Sequence, residues 1–219
     1  MAPSPAPDPA RRVRTTYRHG DLRQSLVREG LDLARSGGPD AVVLREATRR
    51  VGVSPNAAYR HFADRAELLT AVSAAAQARA ADRIEQDWNA VPADIPAAER
   101  ARAHLRAVGT GYIGFAREEP GLFRAAFSVP ADLSQAFSAD KAGTGGRTPF
   151  QFVSDALDEL LATGELTATR RSNGEFLAWS SVHGLAMLVI DGPLRGLTDA
   201  MIDDAQTRLI EMVVRGVCP

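Results

Sequence analysis

Apolar residues recur every three or four positions along nearly the whole chain, which is the spacing of one face of an α-helix. The first 90 residues predict four helices, over 21–37, 44–51, 55–61 and 64–88, with glycine, proline or aspartate near their ends. No run alternates apolar and polar residues convincingly at the period of a strand. The pattern therefore predicts an all-α fold.

The second half of the chain predicts longer helices with the same spacing. They lie at 96–117, 120–128, 149–164, 173–190 and 198–213. Residues 173–190 are apolar nearly all round, so that helix must be buried on more than one side. The polar, glycine-rich stretch 138–148 predicts a mobile loop.

The stretch GTGYIG, residues 109–114, matches the G-x-G-x-x-G pattern of a dinucleotide-binding turn. Such a turn follows a buried strand, whereas here a helical stripe of apolar residues from Ala101 to Phe115 passes straight through it. The stretch is therefore predicted to lie inside a helix, where each glycine costs about 1 kcal/mol relative to alanine. We hypothesise that Gly111, seven residues after His104, leaves open space for a ligand beside that imidazole and Tyr112.

Charge is distributed unevenly between the two parts of the chain. Residues 11–65 hold 12 Lys or Arg against 6 Asp or Glu, and the remainder holds 14 against 21. A basic N-terminal quarter joined to an acidic body is typical of a module that binds a polyanion, although chance clustering on a solvated surface gives the same numbers. The Pro- and Ala-rich residues 1–16 predict a disordered basic arm.

Composition also bears on the compartment. No apolar run approaches the roughly 18 residues that span a bilayer, and the N-terminus lacks the apolar segment of a secretory signal. The single cysteine, Cys218, forms no internal disulfide, which fits a reducing compartment. We expect a cytoplasmic protein with no membrane partner.

Helices 44–51 and 55–61, joined by a turn that contains Gly52, have the arrangement of a helix-turn-helix. Ser54 is a good N-cap, and Pro55 suits the first helical position. At the start of a recognition helix, Asn56 can pair with adenine and Ala57 can touch a thymine methyl. The other candidates for DNA contact are Arg45, Thr48, Arg49, Tyr59, Arg60, His61 and Arg65.

Two alternatives stay open for this region. Tyr59 and His61 are either DNA-backbone contacts or packing residues of a bundle that never meets DNA. The arginines of the N-terminal segment either follow a DNA groove or belong to a solubilising tail. They are Arg11, Arg12, Arg14 and Arg18.

The sequence LREATRRVGVSPNAAYRHFAD, residues 44–64, is long and specific enough to identify a family resemblance. Residues 17–72 resemble the N-terminal domain of the tetracycline-repressor (TetR) family, and the apolar helix near residue 180 resembles the dimerising helix of one branch of it. The resemblance implies a DNA-binding domain over 17–66 and a ligand-binding and dimerisation domain over 67–219. Two positions depart from the family pattern: Val43 replaces a capping Ser or Thr, and Thr48 replaces Ala.

For the body, the residue pattern offers candidates for a ligand pocket and for a dimer interface. His183 is a candidate for both, since it can orient a ligand or bond a carbonyl across the interface. The pocket candidates are His104, Val108, Gly111, Tyr112, Phe115, Phe123, Phe127, Phe152, Ser180, His183 and Met187. The interface candidates are Trp179, Val182, Ala186, Val189, Ile202, Ala205, Leu209 and Val213.

Together these features predict a ligand-responsive transcriptional repressor that binds a pseudo-palindromic operator as a homodimer and is released by a small, mainly apolar effector. A DNA-binding regulator without an effector, or an activator, is the alternative. The chain carries no G-x-S-x-G, H-E-x-x-H, C-x-x-C or P-loop motif, and its four histidines are scattered singly. We therefore expect neither an enzyme nor a metal or cofactor site.

Overall fold

The computed structural model of the protein describes residues 19–130 and 132–218, so the predicted arm 1–16 and its arginines lie outside the described residues. The described residues form α-helices and no strand, which confirms the all-α prediction. The helices are α1 His19–Gly37, α2 Leu44–Val51, α3 Pro55–Tyr59, α4 Arg65–Asn89, α5 Ala97–Glu118, α6 Pro120–Ala126, α7 Pro149–Ala162, α8 Ala168–Arg171, α9 Gly174–Ile190 and α10 Asp199–Val217.

The first three helices and the start of α4 pack around one small apolar core. Leu26, Phe62 and Leu68 are fully buried there because each lies on the inward face of its element. Gly52, at φ 77°, makes the turn between α2 and α3, a conformation that glycine adopts without strain. The Ser54 hydroxyl accepts a hydrogen bond from the Ala57 N–H and caps α3, as the sequence predicts.

Helix α4 connects this N-terminal unit to the body, where it packs along α5. The GTGYIG stretch lies within α5, as predicted. At Gly111 the two helices touch through their backbones, because a Cβ there would lie 2.6 Å from the Ile84 Cα. Helices α7, α9 and α10 pack around the remaining faces of α5.

The stretch 138–148 is not the mobile loop that its composition predicts. It contains a short 3-10 helix, Ala139–Lys141, and is held against α4. The Thr144 N–H and hydroxyl both donate to the Asp82 carboxylate, at 2.7 and 2.9 Å. The Arg147 guanidinium lies 3.9 Å from the centre of the Phe152 ring. Polar residues are used here for specific contacts with the body rather than for solvation.

Candidate DNA-binding surface and ligand cavity

The turn and the recognition helix present polar side chains to solvent. Pro55, Asn56, Tyr59 and Arg60 are exposed on α3 and just after it, and Tyr59 keeps 49% of its surface accessible. Their Ala58 neighbour is fully buried and fixes the helix to the core. The outer face of α3 is therefore free to enter a groove.

Helix α2 carries exposed arginines that are held by an acidic neighbour. The Arg49 and Arg50 guanidiniums both donate to the Glu46 carboxylate, at 2.7 to 3.0 Å. These bonds lower the pKa of Glu46 to about 2, so the carboxylate is ionised at neutral pH. Arg45 and Arg49 remain exposed and can meet phosphate oxygens.

Three of the predicted DNA-contacting residues make contacts within the protein instead of facing solvent freely. Thr48 is buried and its hydroxyl donates to the Leu44 carbonyl at 2.6 Å, which disfavours its prediction as a DNA contact. Arg65 donates to the carbonyls of Pro39 and Val42, at 2.7 and 2.8 Å, and so holds the segment before α2. Ala57 is half-buried and packs against the core.

The residue before α2 also matters for this surface. Val43 occupies the N-cap position and makes no side-chain cap, which is the departure that its sequence predicts. Its side chain is 41% exposed. The α2 N-terminus therefore lacks the hydroxyl that would cap the helix, a loss of roughly 1 kcal/mol.

A cavity of about 670 Å³ lies in the body between α5, α9, α10 and the segment that follows α6. Its walls are mainly apolar and aromatic, as in sites that take small organic molecules. Of the predicted pocket residues, five line it. They are Val108, Tyr112, Phe127, Ser180 and His183.

A hydrogen-bonded trio forms the polar part of the cavity wall. The Trp179 indole N–H donates to the Tyr112 hydroxyl at 3.0 Å, and that hydroxyl lies 2.8 Å from Nδ1 of His183. Burial lowers the pKa of His183 and raises that of Tyr112, so both are neutral at pH 7. The Tyr112 O–H then donates to Nδ1, and the His183 ring keeps its proton on Nε2.

Tyr112→Phe is expected to lower the free energy of unfolding by about 1–3 kcal/mol, since it leaves Trp179 and His183 without their shared partner. Urea titration at one fixed protein concentration measures this loss. Tyr59→Phe is the matched control on an exposed tyrosine and should change stability by less than about 0.5 kcal/mol. Equal stabilities of the two variants would contradict the prediction.

Six predicted pocket residues do not reach the cavity. His104 stacks on Trp88 with ring centroids 3.8 Å apart, and its Nδ1 lies 2.6 Å from a Glu159 carboxylate oxygen. Gly111 faces α4 rather than open space, which overturns the hypothesis made for it. The others pack in the core: Phe115, Phe123, Phe152 and Met187.

Several of the predicted interface side chains face the chain's own core, and the interface itself stays a prediction. Four are buried within the chain: Val182, Ala186, Val189 and Ile202. Trp179 and Val213 line the cavity, and Leu209 packs partly against the core. Ala205 is half-buried.

The exposed apolar side chains of the last two helices lie elsewhere. Leu177 and Leu188 on α9 are 64% and 44% exposed, and Met201 and Met212 on α10 are 53% and 59% exposed. On α9 these leucines align with Gly184, which is open to solvent. We call the exposed faces of α9 and α10 the outer apolar face.

Sequence reasoning missed several cavity residues. They are Gln77, Leu105, Gly109, Lys141, Phe150, Phe176 and others nearby. The composition could have drawn attention to one of them, because Lys141 is the single lysine of the chain, beside 25 arginines. The rest come from separate segments that only the fold brings together.

Within the described part of the chain, no helix is both long enough and apolar enough to span a membrane.

Comparison with known proteins gives two domain matches. Residues 26–72 match the model of bacterial regulatory proteins of the tetR family, and residues 105–213 match the tetracyclin repressor-like C-terminal domain. No curated protein matches the chain.

Solved structures share the fold across most of the chain. A Rhodococcus sp. RHA1 protein of unknown function is 25% identical with a TM-score of 0.71, covering 94% of this chain and 100% of its own. A TetR family transcription regulator from Marinobacter aquaeolei VT8 is 17% identical with a TM-score of 0.57, covering 87% and 94%. TetR-Q116A from Acinetobacter baumannii AYE, in complex with minocycline, is 15% identical with a TM-score of 0.57, covering 88% and 94%.

Proposed function

Because this chain belongs to the TetR family of transcriptional regulators, we propose that it is a dimeric repressor that releases its operator when a small molecule fills the cavity. We assign DNA binding to residues 17–66, sensing and dimerisation to residues 67–219, and the site of action to the cytoplasm. The observation that carries the proposal is that α4 belongs to both sites. It begins beside the DNA-binding surface and its Gln77 lines the cavity.

The exposed face of α3 supports base recognition in the major groove. Asn56 is exposed in the first turn, where an amide can pair with N6 and N7 of adenine. Arg45, Arg49 and Arg60 surround it and can bond phosphates. Two copies of α3 in a dimer would enter successive major grooves, about 34–36 Å apart.

Asn56→Ala is expected to weaken specific operator binding by about 5- to 150-fold, since one bidentate base contact contributes roughly 1–3 kcal/mol of discrimination. Non-specific DNA binding should change little, because phosphate contacts remain. Mobility-shift titration on operator and on random DNA, at one salt concentration, measures both. Arg79→Ala removes an exposed side chain of α4 and serves as the control.

The outer apolar face supports dimerisation. Leu177, Gly184 and Leu188 follow one line along α9, at spacings of seven and four, and α10 packs beside α9. Large apolar side chains exposed together favour contact with a second surface of the same kind. We take that surface to be the same face of a second copy, related by a two-fold axis.

Contacts between the cavity wall and the N-terminal unit support release by a ligand. The Ser73 hydroxyl and the Gln77 amide of α4 both donate to the Ala126 carbonyl at 2.8 Å, and Ala126 lines the cavity. At the other end of α6, Glu119 accepts from Arg35 of α1 at 2.9 Å. A ligand that moves the end of α6 therefore acts on α4 and on α1 together.

The test of the proposal is operator binding by the purified protein. Selection from random DNA should return a pseudo-palindromic operator. A library screen by thermal shift should return compounds that stabilise the protein and also release it from that operator. A ligand at 100 times its Kd stabilises the protein by about 2.7 kcal/mol. Absence of sequence-selective binding would overturn the proposal.

A regulator without an effector, or an activator, is the second candidate. Stabilising compounds that leave operator affinity unchanged would favour the effector-free regulator. Transcription that rises when the protein binds its operator would favour the activator.

A further inference from the structure

The single lysine of this arginine-rich chain lies in the wall of the cavity. Lys141 is 8% exposed as a residue, and it is among the residues that line the cavity. Within the described residues, no ion pair or hydrogen bond engages its ammonium group. An ammonium in a mainly apolar wall has few polar neighbours, so an anion that reaches it gains a strong charge-assisted hydrogen bond.

The other polar groups of the cavity wall already have partners within the chain. Tyr112, Trp179 and His183 bond to one another, and Gln77 donates to the Ala126 carbonyl. Asp132, the acidic residue of the wall, is exposed and accepts from the Ser134 N–H at 2.8 Å. Among these polar groups, the Lys141 ammonium is therefore the one that remains available for an ion pair with a ligand.

The rest of the wall determines the body of a matching ligand. Phe127 and Phe150 lie against Trp179 with ring centroids 6.2 and 6.4 Å apart, and Phe176 is a further ring in the same wall. Aromatic walls favour flat aromatic rings through edge and offset-stacked contacts.

We infer that the cavity binds aromatic carboxylates, with the carboxylate bonded to Lys141 and the ring system against the aromatic wall. This inference deepens the proposed sensing function and rests on it. It also specifies what the cavity rejects: an amine of the same shape would place a second cation beside the ammonium.

Three naphthalene compounds of similar shape test the inference by calorimetry: 1-naphthaleneacetate, 1-naphthaleneacetamide and 2-(1-naphthyl)ethylamine. The acid should bind most tightly, then the amide, then the amine. Lys141→Met should lower the affinity for the acid by roughly 10- to 100-fold, as expected for the loss of one charge-assisted hydrogen bond. The affinity for the amide should stay within about twofold of wild type. Arg195→Met removes an exposed positive charge and serves as the control; it should change neither the affinity for the acid nor the affinity for the amide.

Lys141→Met should fold with a Tm close to that of wild type, because it keeps an unbranched apolar stem and breaks no ion pair or hydrogen bond within the described residues. A second measurement uses the wild-type chain. Reductive methylation with ¹³C-formaldehyde labels Lys141 as the single lysine and keeps its charge. At saturation, the Lys141 signal should shift further with the acid than with the amide, because only the acid pairs with the ammonium.

Equal affinities for acid and amide, no binding of the acid, or an acid affinity unchanged in Lys141→Met would each overturn the inference. Operator binding by the same preparations reports separately on the proposed function. If the operator is still bound and other compounds still release it, only the assignment of ligand class fails.

Discussion

Leu188→Glu is expected to convert the protein to monomers and to weaken operator binding by at least about 100-fold. Leu188 is 44% exposed on the outer apolar face, and in a two-fold interface the substitution places two carboxylates in the apolar contact, one from each copy. Charges buried without partners are costly, so the dimer should dissociate. Each operator half-site would then be bound by a separate monomer. Losing the linkage between two half-sites removes a factor of about 10²–10⁴ in avidity.

Light scattering after gel filtration measures the oligomeric state, and mobility shift measures operator affinity. Leu161→Glu is the matched control, since Leu161 is 38% exposed on α7, which is not one of the two helices of that face. It should leave both quantities unchanged. A Leu188→Glu protein that remains dimeric would contradict the assignment of the interface.

Gly111→Ala is expected to lower the free energy of unfolding by at least about 2 kcal/mol, although alanine is the better helix former. The added Cβ would lie 2.6 Å from the Ile84 Cα and 3.2 Å from the Arg83 carbonyl oxygen. Both neighbours are backbone atoms, so no change of rotamer relieves the overlap and α4 must separate from α5. Tm should fall by roughly 4–8 °C.

Gly109→Ala is the control two residues earlier in the same helix. Its Cβ would meet side-chain atoms of Ile210 and Val182, at 3.0 and 3.6 Å, which can adjust. Its stability should stay within about 1 kcal/mol of wild type, because the gain in helix propensity offsets the tighter packing. Urea unfolding of both variants at equal protein concentration distinguishes them, and equal losses would contradict the backbone contact at Gly111.

The two glycines also explain what the sequence could and could not predict. The helical period through GTGYIG is a local property, so α5 was predictable. The direction each glycine faces is not local, because α5 is packed on several sides by α4, α7, α9 and α10. Periodicity therefore could not indicate that Gly109 borders the cavity while Gly111 touches α4.

Helix α9 illustrates the same limit for the interface. It is apolar nearly all round, so the row that contains Val182 and the row that contains Leu188 both carry apolar side chains. Only packing against α5 and α10 buries the first row and leaves the second exposed. By contrast, the DNA-binding unit was predictable in detail, since its turn, cap and recognition helix are contiguous in residues 44–64.

The backbone contact between Gly111 and Ile84 has a mechanical consequence for α4. In the release proposed above, this contact would be the pivot, with Gln77 seven residues away and Arg65 nineteen residues away. At 1.5 Å per residue, a rigid α4 would turn a displacement of about 1 Å at Gln77 into one of about 2.7 Å at Arg65. In the proposed function, α4 would therefore act as a lever that magnifies small movements at the cavity before they reach the DNA-binding unit.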